Sequence, residues 1–183
     1  MVANRGEIAV RVQQTLKTMG TATVAVYSDP DNTAPHVSTA DEAWPLGGQT
    51  AAQTYLDMEK LLTIAQRCGA EAIHPGYGFL SENPSFARAC LEANIVFIGP
   101  TPESMEALGD KIRSKQLARQ AGVAVVPNSP PCDGIDTAVE EFVASWGFPL
   151  LVKAAAGGGG RGMRLVNSLE ELAPALDSAA REA

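Results

Sequence analysis

Apolar positions recur along the first hundred or so residues in two alternating rhythms. Thr21 to Tyr27, Glu42 to Leu46, Glu71 to His74 and Ile95 to Ile98 are short apolar runs bounded by turn residues, which predicts strands. Between them, Ile8, Val12, Leu16 and Met19 share one helical face, and Met58, Leu61, Leu62 and Ala65 repeat the i, i+3, i+4, i+7 spacing. Asn4 with Glu7 three residues on predicts a capping box at the start of the first helix, and Gly20 its end. Strands alternating with helices imply a parallel sheet with helices on both faces. Only Val2 and Ala3 precede Asn4, whereas a buried parallel strand usually runs to about five or six residues. The amino end therefore reads as clipped.

Farther along, Thr101 caps a short helix with Pro102 in its first turn, and a second helix runs from about Asp110 to Ala121 and stops at Gly122. The Pro-rich stretch from Pro127 to Pro131, with Asp133-Gly134 after it, reads as a loop, and a domain boundary is expected near residues 122 to 126. A helix from about Asp136 to Trp146, a strand Pro149 to Lys153, a glycine run and a strand Met163 to Val166 follow. The last helix opens at Ser168 with Glu171 as its capping partner, and Leu169, Leu172 and Leu176 form its apolar face. A segment of that size makes a poor independent core, because small units bury too little of their surface.

Composition narrows the class. The chain has 183 residues, 45% of them hydrophobic, so a packed core is within reach and general disorder is excluded. No apolar run approaches the roughly 20 residues that span a bilayer. The sequence predicts a soluble protein with no membrane partner. Lys and Arg total 14 against 21 Asp and Glu, a net charge of −7, which disfavours nucleic acid. Cys68, Cys90 and Cys132 are odd in number and lack CxxC spacing, as expected of reduced thiols in the cytoplasm. The mitochondrial matrix fits equally if a transit peptide has been removed.

The most informative segment is Lys153 followed, after three alanines, by Gly157, Gly158, Gly159, Gly160, Arg161 and Gly162. Consecutive glycines let backbone N–H groups approach a phosphate with no Cβ in the way. A dinucleotide fingerprint would have to open a helix, and the apolar run from Met163 to Val166 is β-like instead. A P-loop needs Lys and then Ser or Thr after its closing glycine, where this chain has Met163. A flexible linker would be polar rather than embedded between apolar strands. The arrangement left is a strand, glycine loop, strand hairpin of the kind that covers ATP phosphates, with Lys153 reaching a phosphate and Arg161 and Arg164 adding charge.

Four stretches in order resemble biotin carboxylase: Ala3-Asn4-Arg5-Gly6-Glu7-Ile8-Ala9, the loop Ile73 to Asn83 (IHPGYGFLSEN), Phe97-Ile98-Gly99-Pro100 with Gly109-Asp110-Lys111, and the glycine hairpin. The resemblance covers the whole chain. It implies an α/β fold with a Rossmann-like pre-ATP-grasp domain at residues 1–98, a helical connector at 99–124 and an incomplete, truncated ATP-grasp lid subdomain at 125–183. It also implies an enzyme that uses ATP and Mg²⁺ to activate bicarbonate as carboxyphosphate and then carboxylates biotin carried on a partner. Lys111 and Lys153 fall on the family's ATP-contacting lysines, and Gly157 to Gly162 on its phosphate-covering loop. Positioning and charge neutralisation are what phosphoryl transfer asks of a protein, and a lysine pair under a backbone lid supplies both.

The loop holding His74, Tyr77, Gly78 and Glu82 follows a strand's carboxyl end, where open parallel sheets bind ligands, and the resemblance places it beside biotin. A structural reading stands next to that one: Gly76 and Gly78 shape a turn, His74 satisfies backbone groups, and Asn83 with Pro84 opens a helix. Asn4, Arg5 and Glu7 likewise read as a helix cap with a surface pair. By the same resemblance, the family's Mg²⁺ ligands and catalytic residues lie beyond the chain's end, so catalysis by this chain alone is not expected. The expected partners are a biotin carboxyl carrier protein or domain, a carboxyltransferase and a second copy in a homodimer. At the family's interfacial charged pair this chain carries Gln14 and Thr18. A non-catalytic nucleotide-binding module and another ATP-grasp ligase are the competing readings.

Overall fold

The computed structural model describes residues 1–109, 111–132, 134–153 and 163–181. They form two compact units, residues 1–114 and 115–183.

The first unit is built around residues 1–3. Val2 bridges in parallel to Ala25 on one side and to His74 on the other. Strand β1 (Val24–Tyr27) continues outward to β2 (Glu42–Pro45), and β3 (Ala72–Ile73) to β4 (Val96–Phe97), all in parallel. The sheet order is therefore β2, β1, the Val2 segment, β3, β4. Short as it is, the opening segment is the centre of the sheet, pinned by Val2 N–H to Val24 O at 2.8 Å, Ala3 N–H to His74 O at 2.9 Å and His74 N–H to Met1 O at 2.9 Å.

Alternation along that segment assigns the two faces. Val2 packs with Ile8, Ala9 and Val12 of helix α1 (Gly6–Thr18). Met1 and Ala3 point the other way, into the larger cluster with Leu61, Ile64 and Ala65 of α3 (Met58–Arg67), Phe86, Ala87 and Cys90 of α4 (Pro84–Glu92), and Val26, Ile73 and Phe97 from the strands. The expected helices on both faces are thus present. Short α2 (Pro35–Thr39) lies between β1 and β2, and α5 (Pro102–Gly109) and α6 (Lys111–Gln120) follow β4.

Several expected boundaries shift for local reasons. Gly20 ends α1 at φ +73°, and its N–H bonds Lys17 O while Thr21 N–H bonds Leu16 O, so Thr21 belongs to the cap and β1 starts only at Val24. Met19 is part of the same cap and is 70% exposed, not on the apolar face. Asn4 is not the cap of α1. Arg5 holds that position with no side-chain bond to the helix, and Asn4 is engaged elsewhere.

In the second unit, β5 (Leu150–Lys153) and β6 (Met163–Val166) pair antiparallel. Asp136 caps α7 (Thr137–Trp146) by accepting Val139 N–H at 2.9 Å. In α8 (Leu169–Arg181), Leu172, Ala175 and Ala179 are buried against Val139, Val152 and Val166, whereas Leu169 is exposed. Glu171 does reach back over the helix start, accepting Asn167 N–H at 2.8 Å. No helix among the described residues is long and apolar enough to cross a membrane.

Candidate functional site

The chain leaves the Val2 segment for β1 on one side and later arrives at β3 on the other, so the topological switch point lies between the carboxyl ends of the Val2 segment and β3. Asn4 and the loop from His74 to Asn83 meet there. The Asn4 side chain is buried and donates through Nδ2 to Pro75 O at 2.7 Å and Tyr77 O at 2.8 Å, while Oδ1 accepts Arg5 N–H at 2.8 Å. Gly76 sits at φ +66°, and a Cβ there would lie 2.7 Å from Asn4 Nδ2, so glycine is required by backbone conformation and by space.

His74 is in structural use. Its Nδ1 accepts Gly76 N–H at 3.0 Å, which puts the ring proton of the neutral form on Nε2. Burial, then the positive charges of Arg11 and the amino terminus, hold its pKa below the ordinary value, so the ring is neutral at pH 7. Tyr77 stands 59% exposed, and its hydroxyl meets the Glu7 carboxylate in the first turn of α1. Gly78 follows at φ +65° and Phe79 at φ +43°, a conformation that costs a non-glycine residue about 1 kcal/mol or more. Phe79 is held by stacking on Tyr55, ring centroids 5.2 Å apart, with Leu80 buried behind it. Glu82 is exposed, and Asn83 caps α4 by accepting Phe86 N–H at 3.0 Å. Of the predicted residues, Tyr77, Gly78 and Glu82 face outward and His74 shapes the turn.

A second polar cluster braces the neighbouring strand end. Asp31 Oδ2 accepts from the Tyr55 hydroxyl at 2.7 Å, Ser28 Oγ at 2.7 Å and Arg5 Nη1 at 3.1 Å, and the Tyr55 oxygen accepts Ser28 N–H at 3.0 Å. Burial alone would raise the Asp31 pKa, but bonds from Tyr55, Ser28 and Arg5 outweigh it and hold the carboxyl below its usual range. Tyr55 is pushed up to about 12, by burial first and then by the bond to Asp31.

The hairpin carries the other predicted group. In its register Leu151 faces Leu165 and Lys153 faces Met163, and residues directly opposite share a face. Leu151, Lys153, Met163 and Leu165 therefore lie together, all four exposed, on the side away from buried Val152 and Val166. Arg164 pairs with Val152 and lies on the α8 side instead, in an open concavity with Asn167, Glu171 and Pro174. Its expected place beside Lys153 is thus corrected: strand alternation sends it to the opposite face. A positive group that feels the Lys153 charge is Lys115, whose ammonium pKa is lowered by burial and then by the charges of Lys153 and Arg119. Its Nζ donates to Asn128 Oδ1 at 3.2 Å, as does Arg119 Nη2 at 3.0 Å. Gly157 to Gly160, Arg161 and Gly162 lie outside the described residues, as does the side chain of Lys111, which opens α6. Sequence reasoning missed Asn4's true role, Lys115 and the apolar face around Lys153. The four-residue spacing Lys111, Lys115, Arg119 and the alternation Leu151, Lys153 were the available signals.

Comparison with known proteins adds to this geometry. The family described as biotin carboxylase, N-terminal domain, matches residues 1–105, and the carbamoyl-phosphate synthase L chain, ATP binding domain, matches 110–183. The chain is 49% identical over 184 residues to the biotin-dependent acyl-coenzyme A carboxylase alpha3 subunit of Mycobacterium leprae, covering all of this chain and 31% of that protein. It aligns throughout with the biotin carboxylase beta-gamma-ATP complex from Campylobacter jejuni at TM-score 0.91 and 42% identity, covering 41% of that chain. The biotin carboxylase domain dimer of Hydrogenobacter thermophilus 2-oxoglutarate carboxylase, solved with MgADP, ADP and bicarbonate, aligns at TM-score 0.84 and 48% identity, with all of this chain and 40% of that chain covered. The chain thus spans about a third to two fifths of the length of these relatives.

Proposed function

The chain belongs to the biotin carboxylase family, and from that membership we propose that it supplies the pre-ATP-grasp domain, connector and nucleotide-covering lid of an ATP-dependent biotin carboxylase. In this reading residues 1–98, 99–124 and 125–183 are those three parts. The reaction activates bicarbonate with ATP and passes the carboxyl group to biotin on a carrier protein or domain, for later use by a carboxyltransferase. The single observation that carries the proposal is the whole-chain alignment with a biotin carboxylase ATP complex at TM-score 0.91. The carbamoyl-phosphate synthase likeness, by contrast, covers 110–183 alone.

The residues present fit a nucleotide. A lysine that shares an exposed strand face with Leu151, Met163 and Leu165 offers an apolar surface for a base and a positive charge for phosphate. Lys153 and Lys111 are assigned to the phosphates, the loop 157–162 with Arg161 to their cover, and Tyr77, Gly78 and Glu82 to the biotin side. His74 supports that side by shaping the turn. Among the described residues no group of three His, Cys, Asp or Glu side chains could hold a metal ion, so no step is assigned to Mg²⁺ through them. Homodimer formation follows the Hydrogenobacter domain dimer as part of the same proposal.

The proposal is tested by exchanging residues 1–183 for the aligned region of the Hydrogenobacter biotin carboxylase domain and measuring bicarbonate-dependent ADP formation. Activity that falls about a hundredfold or more on Lys153→Ala is expected, the scale for losing one transition-state charge contact. A folded chimera without bicarbonate-dependent ATP cleavage would count against the assignment.

A further inference from the structure

We infer that Asn4 is the positioning residue of the Tyr77–Gly78 loop, holding the outward-facing segment in one shape from the centre of the sheet. The inference rests on the proposed role of that loop beside biotin, and its test keeps the two apart.

The sheet itself does not need the Asn4 side chain. Pairing around residues 1–3 is carried by main-chain bonds from Val2, Ala3 and His74, and the flanking faces are closed by apolar side chains. The Asn4 amide is spent outside that ladder. Its two N–H groups converge on the carbonyls of Pro75 and Tyr77, the residues on either side of Gly76, at 2.7 and 2.8 Å. One planar group thereby fixes both ends of the turn that presents Tyr77. Its carbonyl oxygen takes Arg5 N–H at 2.8 Å, so the amide cannot flip without facing oxygen to oxygen. The residue is 3% exposed, which keeps water from substituting for the lost bonds. Gly76 closes the arrangement from the other side, since any Cβ would strike the amide nitrogen. Two residues farther along the chain from Arg5, Glu7 receives the Tyr77 hydroxyl, so the same stretch grips Tyr77 at its backbone and at its phenol.

Asn4→Asp changes the donor nitrogen to oxygen with almost no change in shape. The carboxylate then faces two carbonyl oxygens, which repels the loop, whereas a protonated carboxyl can again donate one bond. This gives a signature that a purely structural residue would not produce: a pH dependence of the loop beyond that of the wild type, in which the His74 ring on Gly76 N–H and the Glu7 carboxylate on the Tyr77 hydroxyl already face it.

The experiment uses the full chain labelled with 3-fluorotyrosine. Its three tyrosines, Tyr27, Tyr55 and Tyr77, give lines assigned by Tyr→Phe variants. In Asn4→Asp at neutral pH the Tyr77 line shifts and the Gly76 and Ser81 amides exchange about tenfold faster, while the Tyr27 line stays; Tyr55 is no control, because Phe79 of the same loop stacks on its ring. Lowering the pH through the introduced carboxyl's titration returns the Tyr77 line part of the way toward its wild-type position. Gly76→Ala shifts the same line, and does so less when combined with Asn4→Ala. An unmoved Tyr77 line, a displacement from the wild-type line that does not change with pH, or a Tyr27 line that moves with it would overturn the inference. So would global unfolding of both Asn4→Asp and Gly76→Ala, which would make Asn4 a determinant of the fold. If the Tyr77 line behaves as expected but Tyr77→Phe leaves biotin dependence in the chimera untouched, the positioning role stands and the substrate assignment falls.

Discussion

The loop at the end of β3 and the hairpin of the second unit present their functional groups in opposite ways. Around Tyr77, nearly every polar atom is committed: Asn4 to the loop carbonyls, His74 to Gly76, and Asp31 to Tyr55, Ser28 and Arg5, with buried Phe86, Leu61 and Ile73 in the core that carries them. Among the described residues, Lys153 shares an exposed strand face with Leu151, Met163 and Leu165, and the core behind it rests on Val152, Val166, Leu172 and two alanines of α8. One region is fixed by its own bonds, so its geometry is set before any ligand arrives. The other offers surface and charge, whose value depends on what binds there.

The chain carries one tryptophan in each unit, Trp44 and Trp146, so fluorescence can follow the two separately once either is replaced by Phe. The largest lesion expected is Phe86→Ala. Phe86 is fully buried and meets Phe97 edge to face at 6.0 Å, and its loss should cost about 3–5 kcal/mol. Urea unfolding should show the Trp44 transition moved to lower denaturant and the Trp146 transition unmoved. Equal movement of both would break the comparison by making the two units one cooperative body.

A smaller effect is expected from Asp31→Asn, about 1–3 kcal/mol at pH 7, because Tyr55 and Ser28 lose a charged acceptor. Asp31 has a lowered pKa in the fold, so its contribution is complete above the unfolded value of about 4 and disappears as pH falls through the folded one. Melting temperatures between about pH 6 and pH 2 should therefore fall more steeply for the wild type than for the variant. Parallel curves would show that the cluster braces nothing.

How far these regions were legible follows the same division. The parallel sheet with helices on both faces, the helical face of α3 and the Gly20 stop were readable because periodicity and capping are local. Asn4 was misread because its residue type fits a cap equally well, and only the chain's return at residues 75–77 gives its amide two better acceptors. Arg164 was misplaced because nearness to Lys153 in sequence says nothing of the face a strand residue takes. Strand alternation and pairing decide that face, and the register could not be fixed from sequence. The face around Lys153 was within reach, since Leu151 and Lys153 already alternate, but its completion by Met163 and Leu165 required the pairing.

The smallest stability effect belongs to the hairpin. Leu165→Thr, at a residue 64% exposed, should change stability by no more than about 0.5 kcal/mol while weakening nucleotide binding in the chimera. A destabilised hairpin with unchanged nucleotide affinity would return Leu165 to the core.

In the proposed function the hairpin serves the nucleotide and the loop at residues 74–83 serves biotin. ADP formation by the chimera, measured with bicarbonate in the presence and absence of free biotin, separates them most directly. Lys153→Ala should abolish both the basal and the biotin-stimulated rate, whereas Tyr77→Ala should remove the stimulation and spare the basal rate. Loss of the basal rate in Tyr77→Ala, or its survival in Lys153→Ala, would contradict the account.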